Sequence, residues 1–133
     1  MSEAPLVLIV DDFREAREMY AMLLQLEGFQ VAEASTAEDA VALARARAPR
    51  AILMDLSLPG TDGIEATRQL KADPRTAGIP VVAISGHVAE GVAAAARAAG
   101  CDGFILRPAP VDAVVREIRR VITATGPASP GSA

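Results

Sequence analysis

The sequence predicts a doubly wound α/β sandwich, a five-stranded parallel sheet of order 2-1-3-4-5 flanked by five helices. Three observations lead there. Short apolar runs of strand length recur along the chain, they alternate with segments of helical periodicity, and four of them end in polar residues. Parallel strands require a crossover, usually a helix, so the alternation implies a parallel sheet covered on both faces. The 2-1-3-4-5 order comes with that fold class rather than from periodicity, and it sets the first and third strands side by side where the winding reverses.

The elements follow in order. Residues 6–10, Leu-Val-Leu-Ile-Val, form an apolar run that ends in Asp11-Asp12, as a strand buried on both faces does. From 13 to about 27, Ala16, Met19, Tyr20, Leu23 and Leu24 recur at three- and four-residue spacing, which predicts an amphipathic helix stopped by Gly28. A strand over 29–34 leads into Ser35-Thr36-Ala37-Glu38, a capping-box pattern with Ser35 as the cap. The helix it opens carries Ala37, Ala40, Val41, Ala44 and Ala48 on its inner face, and Pro49 closes it.

The run from Ala51 to Asp55 is the centre of the chain. Pro59 and Gly60 stop any helix continuing through it, so it reads as a strand that delivers Asp55 to the sheet's carboxyl edge. Asp62-Gly63-Ile64-Glu65 opens a helix to about 71, broken at Asp73-Pro74. A strand over 79–85 ends in Ser85. A helix over 88–99 offers Val88, Val92, Ala95, Ala96 and Ala99 to the core, a mostly small set that anchors it weakly. The fifth strand spans 103–107 and ends in Arg107. After Pro108-Ala109-Pro110, the last helix turns Val111, Val114, Val115, Ile118 and Ile122 inward. The predicted organisation is one domain over 5–124 and a flexible Gly/Pro/Ser/Ala tail over 125–133.

Composition excludes several classes. The 133 residues carry a net charge of −4, with three Phe, one Tyr and no Trp, so neither a basic footprint nor an aromatic platform for nucleic acid is present. Cys101 stands alone, which rules out an intrachain disulfide and a cysteine zinc site. The start Met1-Ser2-Glu3-Ala4-Pro5 is no signal peptide and no run is long enough to span a membrane, so a cytoplasmic protein is expected.

The four polar strand ends, Asp11-Asp12, Asp55, Ser85 and Arg107, meet at one edge of a parallel sheet. Three carboxylates there repel one another unless a cation lies among them, and Mg²⁺ suits a hard oxygen set with few direct carboxylates. With that charge screened, Asp55 can attack phosphorus, while Arg107 and Ser85 supply a cation and a hydrogen-bond donor.

These residues resemble the response-regulator receiver domain, the phosphoacceptor module of two-component signalling. The resemblance rests on Asp11-Asp12, Met54-Asp55-Leu56-Ser57-Leu58-Pro59-Gly60-Thr61-Asp62-Gly63, Ala83-Ile84-Ser85-Gly86-His87 and Gly100-Cys101-Asp102-Gly103-Phe104-Ile105-Leu106-Arg107-Pro108, in that order. It implies a flavodoxin-like fold, phosphorylation of Asp55 by a histidine kinase or histidine phosphotransferase, and Mg²⁺ held by Asp12, Asp55 and the Ser57 carbonyl, with Asp11 acting largely through water. It further implies that Ser85 bonds the phosphoryl group, that Phe104 is the switch aromatic, that Ser57 and His87 modulate dephosphorylation, and that Arg107-Pro108 is a cis peptide. The output partner is expected at the face of the fourth helix, fifth strand and fifth helix, in a single-domain response regulator that is no enzyme beyond self-phosphorylation and self-dephosphorylation.

Two departures stand out. Arg107 occupies a position where receivers carry Lys, and Phe104 lacks the hydroxyl of the Tyr common there. Arg is a planar fork of donors rather than a compact charge, so the exchange is not conservative.

Plainer readings sit beside these. Asp12 alone reads as a helix N-cap, Ser85 as a cap for the fourth helix, and His87 as a loop residue without a ligand partner. Arg116, Arg119 and Arg120 read as the solvated face of the last helix, with a partner-binding stripe as the alternative. Two rival functions are a pseudo-receiver locked by Arg107 and a small phosphoryl-transfer or phosphatase enzyme using Asp55 as nucleophile. The enzyme needs a substrate pocket for which the sequence shows no long insertion.

Overall fold

The computed structural model describes residues 4–56, 63–86 and 91–125. Strands and helices alternate as β1 (Leu6–Val10), α1 (Arg14–Leu26), β2 (Gln30–Ala34), α2 (Ala37–Arg47), β3 (Ala51–Asp55), α3 (Gly63–Ala72), β4 (Val81–Ser85), α4 (Val92–Ala99), β5 (Gly103–Leu106) and α5 (Val111–Thr125). The strands pair in parallel in the order β2-β1-β3-β4-β5, the predicted doubly wound sheet. β3 and β4 are buried at every position, as central strands covered on both faces must be.

Alternation within the strands divides the core in two. Leu8, Val10, Ile52, Met54, Val81 and Ala83 pack with α2, α3 and Ala96 of α4, whereas Val7, Ile9, Leu53, Val82 and Ile84 pack with α1 and α5. Register then sets the site. Val10 pairs with Met54, so Asp11 leaves β1 level with the end of β3, while Asp55 pairs with Ile84 and Ser85 with Leu106.

Several boundaries and faces differ from the sequence reading, each for a local reason. The cap of α2 is Thr36 rather than Ser35: Thr36 has extended backbone and its hydroxyl accepts the Asp39 N–H at 3.1 Å. Ala48 is not an inner-face residue; it is the left-handed C-cap of α2 (φ 46°) and is exposed, because the chain must turn before Pro49. In α1 the buried residues are Tyr20, Ala21 and Leu24, with Met19 turned to solvent, so the stripe lies one position further round the helix. In α5, Val121 is buried, while Ile122 is only partly covered and Val111, in the first turn, is exposed.

The strands begin later than predicted on the β2 and β4 sides. Gly28 (φ 96°) turns the chain out of α1 and Phe29 spends its N–H on Leu24 O, which leaves Gln30 as the first residue of β2. Pro80 has no N–H to give a ladder; its carbonyl accepts from Ile52 and β4 starts at Val81. β5 ends at Leu106, although the Arg107 N–H still bonds Ser85 O at 2.8 Å. The helix α5 continues through Thr125, one residue beyond the domain boundary placed from sequence. The described part of α4 begins at Val92 after Gly91; Val88, and with it the first inner position expected of this helix, lies outside the described residues.

Candidate functional site

β1, β3, β4 and β5 deliver Asp11, Asp55, Ser85 and Arg107 to one edge. Asp11 and Asp55 are 2 % and 3 % exposed, and Ser85 is 2 %, whereas Asp12 faces solvent. One carboxylate oxygen from each of Asp11, Asp12 and Asp55 lies within 4.8 Å of the others. Asp12 does not cap α1, because Phe13 holds the N-cap position. The Asp11 side chain supports that entry instead, its Oδ1 accepting the Phe13 N–H at 2.9 Å.

The other Asp11 oxygen, Oδ2, is buried without a hydrogen-bond donor among the described residues. Arg107 Nη1 stands 3.6 Å from it, an ion pair too long for a hydrogen bond. Burial pushes the Asp11 carboxyl up to about 6; the Phe13 N–H opposes that, the Asp55 charge adds to it, and the Arg107 charge offsets part of it. A buried, under-satisfied carboxylate beside two more is a set of hard oxygens short of positive charge. That set fits Mg²⁺.

Arg107 spans the pair. Its Nη2 lies 3.5 Å from Asp55 Oδ1, and its side chain remains 28 % exposed. Both contacts are longer than the 2.7–2.9 Å of a closed charge-assisted bond. Tyr20 of α1, 7 % exposed, is close enough to Arg107 for the two to interact electrostatically. Burial raises the Tyr20 pKa, and the Arg107 charge and N–H draw it partly back.

Supporting groups hold the edge in place. A Cβ on Gly63 would collide with the Asp55 carbonyl oxygen and crowd Leu56 Cα, so only glycine lets α3 start against the end of β3. Asp102 Oδ2 accepts the Val81 N–H at 2.9 Å and Lys71 Nζ at 3.1 Å, which pins the start of β4 to the turn before β5. Arg107-Pro108 is cis, and Phe104 is partly buried against the core on the α2, α3 and α4 side. Ser57 and His87 lie outside the described residues, and Ser85 does not cap α4, whose N-cap position is Gly91.

Residues 7–119 match the family model described as the response regulator receiver domain. The chain belongs to the response-regulator receiver family. Over 121 residues this receiver is 36 % identical to the phosphate regulon transcriptional regulatory protein PhoB of Pseudomonas aeruginosa, a match covering 91 % of the chain and 53 % of PhoB. The receiver thus spans about half the length of that relative. Protein PilH of the same organism is 36 % identical over 118 residues, covering 87 % of the chain and 96 % of PilH. Among solved structures, a CheY-like response regulator receiver domain protein from Methanospirillum hungatei superposes with a TM-score of 0.86 at 22 % identity, covering 92 % of the receiver and 97 % of that chain.

Family membership gives the clustered edge its context, and the structure shows what the sequence reading of this receiver missed. Tyr20 is counted there only as a core residue; the signal available was a lone phenol on an otherwise apolar helix face. Gly63 is read as part of a capping pattern, when its role is close approach. The α4–β5–α5 face carries a groove of about 260 Å³ lined by Ala96, Phe104, Glu117 and Arg120. There Arg120, its side chain 54 % exposed as expected of a solvated face, also bonds Glu117 at 2.8 Å and the Asp102 carbonyl at 2.8 Å.

Proposed function

We propose that this receiver is the phosphoacceptor of a two-component phosphorelay, modified on Asp55 and signalling by partner binding in a single-domain form. The observation that carries the reading is the buried Asp55 carboxylate at the end of β3, clustered with Asp11 and Asp12 and faced by Arg107 at 3.5 Å. The match spanning 96 % of PilH supports the single-domain form, with the receiver over 5–124 and a tail beyond it.

Asp12, Asp55 and the Ser57 carbonyl would hold Mg²⁺, with Asp11 acting through water. When bound, the ion neutralises the carboxylates and the oxygens of the incoming phosphoryl group. The Asp55 carboxylate attacks phosphorus, the P–N bond to the donor histidine breaks with its electron pair passing to the imidazole, and an acyl phosphate remains on Asp55. Ser85 donates its hydroxyl to a phosphoryl oxygen, Arg107 supplies positive charge, and Phe104 changes rotamer as the active state forms. Ser57 and His87 set the rate at which water removes the phosphoryl group.

The donor is a histidine kinase or histidine phosphotransferase, and the output partner docks on the α4–β5–α5 face. No described helix is long and apolar enough to cross a membrane. The reading places the protein in the cytoplasm and gives it no nucleic-acid target.

Intact-mass analysis after incubation with acetyl phosphate and Mg²⁺ tests this. Wild type gains one phosphoryl group, and Asp55→Asn, which replaces the attacking oxygen with an amide of equal size, gains none while keeping its circular dichroism spectrum. A full adduct on Asp55→Asn places the acceptor elsewhere. The pseudo-receiver reading is favoured by one observation, the approach of Arg107 to both Asp11 and Asp55. It predicts a wild type that gains no mass and an Arg107→Lys variant that does.

A further inference from the structure

We propose that Arg17 of α1, oriented by Glu33 of β2, is a positioning residue for the metal-binding edge: it fixes the Asp11–Asp12 peptide and so the place where the Asp12 carboxylate meets a cation. The inference rests on the reading of Asp12 as a Mg²⁺ ligand given above. Arg17 Nη1 donates to the Asp11 carbonyl at 3.0 Å and its Nε donates to Glu33 Oε1 at 3.0 Å, with the side chain only 17 % exposed. The Asp11 carbonyl lies past the end of β1 and ahead of the first bond of α1, in which the Arg17 N–H reaches Phe13 O at 3.0 Å.

β2 supplies the other half of the clasp. Its last residue, Ala34, accepts the Asp11 N–H at 3.1 Å. Ala32 and Ala34 face the core on the α2 side, so alternation along the strand turns Val31 and Glu33 toward α1, where Arg17 meets the carboxylate. A peptide unit is planar and rigid, so the Asp11 carbonyl, the Asp12 nitrogen and the Asp12 Cα move as one body. With the Asp11 N–H held on Ala34 and its C=O held by Arg17, that body is gripped on both sides, and the solvent-facing Asp12 leaves it in one direction. This direction brings one Asp12 carboxylate oxygen within 4.8 Å of an oxygen from each of Asp11 and Asp55. The guanidinium is a rigid fork, so Glu33, by taking Nε, sets the angle at which Nη1 meets the carbonyl. Arg17 thus spends its donors on a carbonyl and on Glu33, and leaves the acidic oxygens of the edge to a metal.

The test compares Arg17→Met, which keeps an unbranched apolar stem but removes the donors and the charge, with Glu33→Ala and Glu33→Gln. Calorimetry with MgCl₂ alone on the unphosphorylated protein should show Mg²⁺ binding weakened about 10-fold in Arg17→Met, the lower end of what losing an outer support costs a metal site. The sign separates positioning from charge, because deleting a cation near a dication site strengthens binding by Coulomb's law alone. In the metal-free protein the Asp12 amide ¹⁵N resonance should move in Arg17→Met. Glu33→Ala should weaken Mg²⁺ binding in the same direction but less, whereas Glu33→Gln, whose amide oxygen still accepts from Nε, should stay near wild type. Glu33 lies on an edge strand with its side chain 39 % exposed, so this pair decides the matter if Arg17→Met does not fold.

Mg²⁺ affinity that is unchanged or raised in Arg17→Met overturns the proposal, and a lower melting temperature alongside it marks Arg17 as a staple between α1 and β2 only. Equal losses in Glu33→Ala and Glu33→Gln overturn it as well, since they assign the effect to charge. So does a wild type that binds no Mg²⁺. A wild type that binds Mg²⁺ but gains no phosphoryl group from acetyl phosphate sinks the phosphoacceptor reading instead, and the calorimetry still decides the role of Arg17.

Discussion

At the scale of single residues, charge at the carboxyl edge is uneven, and the strain falls on Asp11 rather than on its exposed neighbour. Asp11 is buried, one of its oxygens lacks a donor among the described residues, and Asp55 stands beside it. Asp11→Asn should therefore raise the melting temperature of the metal-free protein at neutral pH by a few degrees, since it removes a buried charge and retains an acceptor for the Phe13 N–H. A chelator-treated thermal melt that moves down instead would show that the Arg107 pair outweighs the burial of the charge. Asp12 faces solvent, so Asp12→Ala should leave the metal-free fold close to wild type. That substitution should remove most Mg²⁺ binding, because a direct ligand is lost; calorimetry with equal affinities for variant and wild type would exclude Asp12 as a ligand.

At the scale of elements, junctions hold the site more than helix interiors do. The α3–β3 junction depends on Gly63, and Gly63→Ala places a methyl against the Asp55 carbonyl and Leu56. Urea titration should show a loss of about 2 kcal/mol or more, at the upper part of the range for overpacking, with a slower Asp55 adduct because the backbone under the acceptor is displaced. A second junction is Asp73, which follows α3, accepts the Arg75 N–H and binds Arg45 of α2 at 2.8 Å. The Arg75 backbone and side-chain bonds, with Arg45, hold its carboxyl far below the usual range. A carboxyl with a depressed folded pKa stabilises the fold above its unfolded pKa and loses that contribution as pH falls through the folded value. Asp73→Asn should consequently lower the melting temperature at pH 7, with the gap to wild type narrowing only below about pH 4. A gap that persists unchanged at pH 2 would assign the effect to packing.

At the scale of the whole molecule, phosphorylation acts only by favouring one of two arrangements, and it shifts that balance by its differential interaction with them. Arg107 approaches Asp11 and Asp55 at 3.6 and 3.5 Å, and on the function proposed above this contact favours the resting arrangement and damps the response. Arg107→Lys should still form the Asp55 adduct, since one cation replaces another. It should enlarge the phosphorylation-dependent change in amide exchange around Ser85, α4 and Phe104. If wild type shows the full change and Arg107→Lys reduces it, Arg107 is an adapted switch residue rather than a damper.

The sequence by itself determined the strand and helix count, the depth of β3 and the residues that end at the sheet's edge, because apolar runs, helical spacing and Gly/Pro stops are local signals. It also determined the family, through four motifs in order, while the fold class carried the strand order that periodicity cannot provide. Tertiary structure decided what depends on neighbours from other elements. Which of two adjacent hydroxyls, Ser35 or Thr36, caps α2 depends on the backbone angles at the end of β2. Val121 rather than Val111 reaches the core because the buried stripe of α5 runs through Val114, Val115, Ile118 and Val121 and leaves its first turn exposed. That Asp11 and not Asp12 is the buried acid, that Gly63 lies against the Asp55 carbonyl, and that Arg107 stands 3.6 Å from Asp11 are relations between residues up to 96 positions apart, set by strand register and helix packing. No local pattern encodes such distances; they exist only once the sheet has brought its edges together.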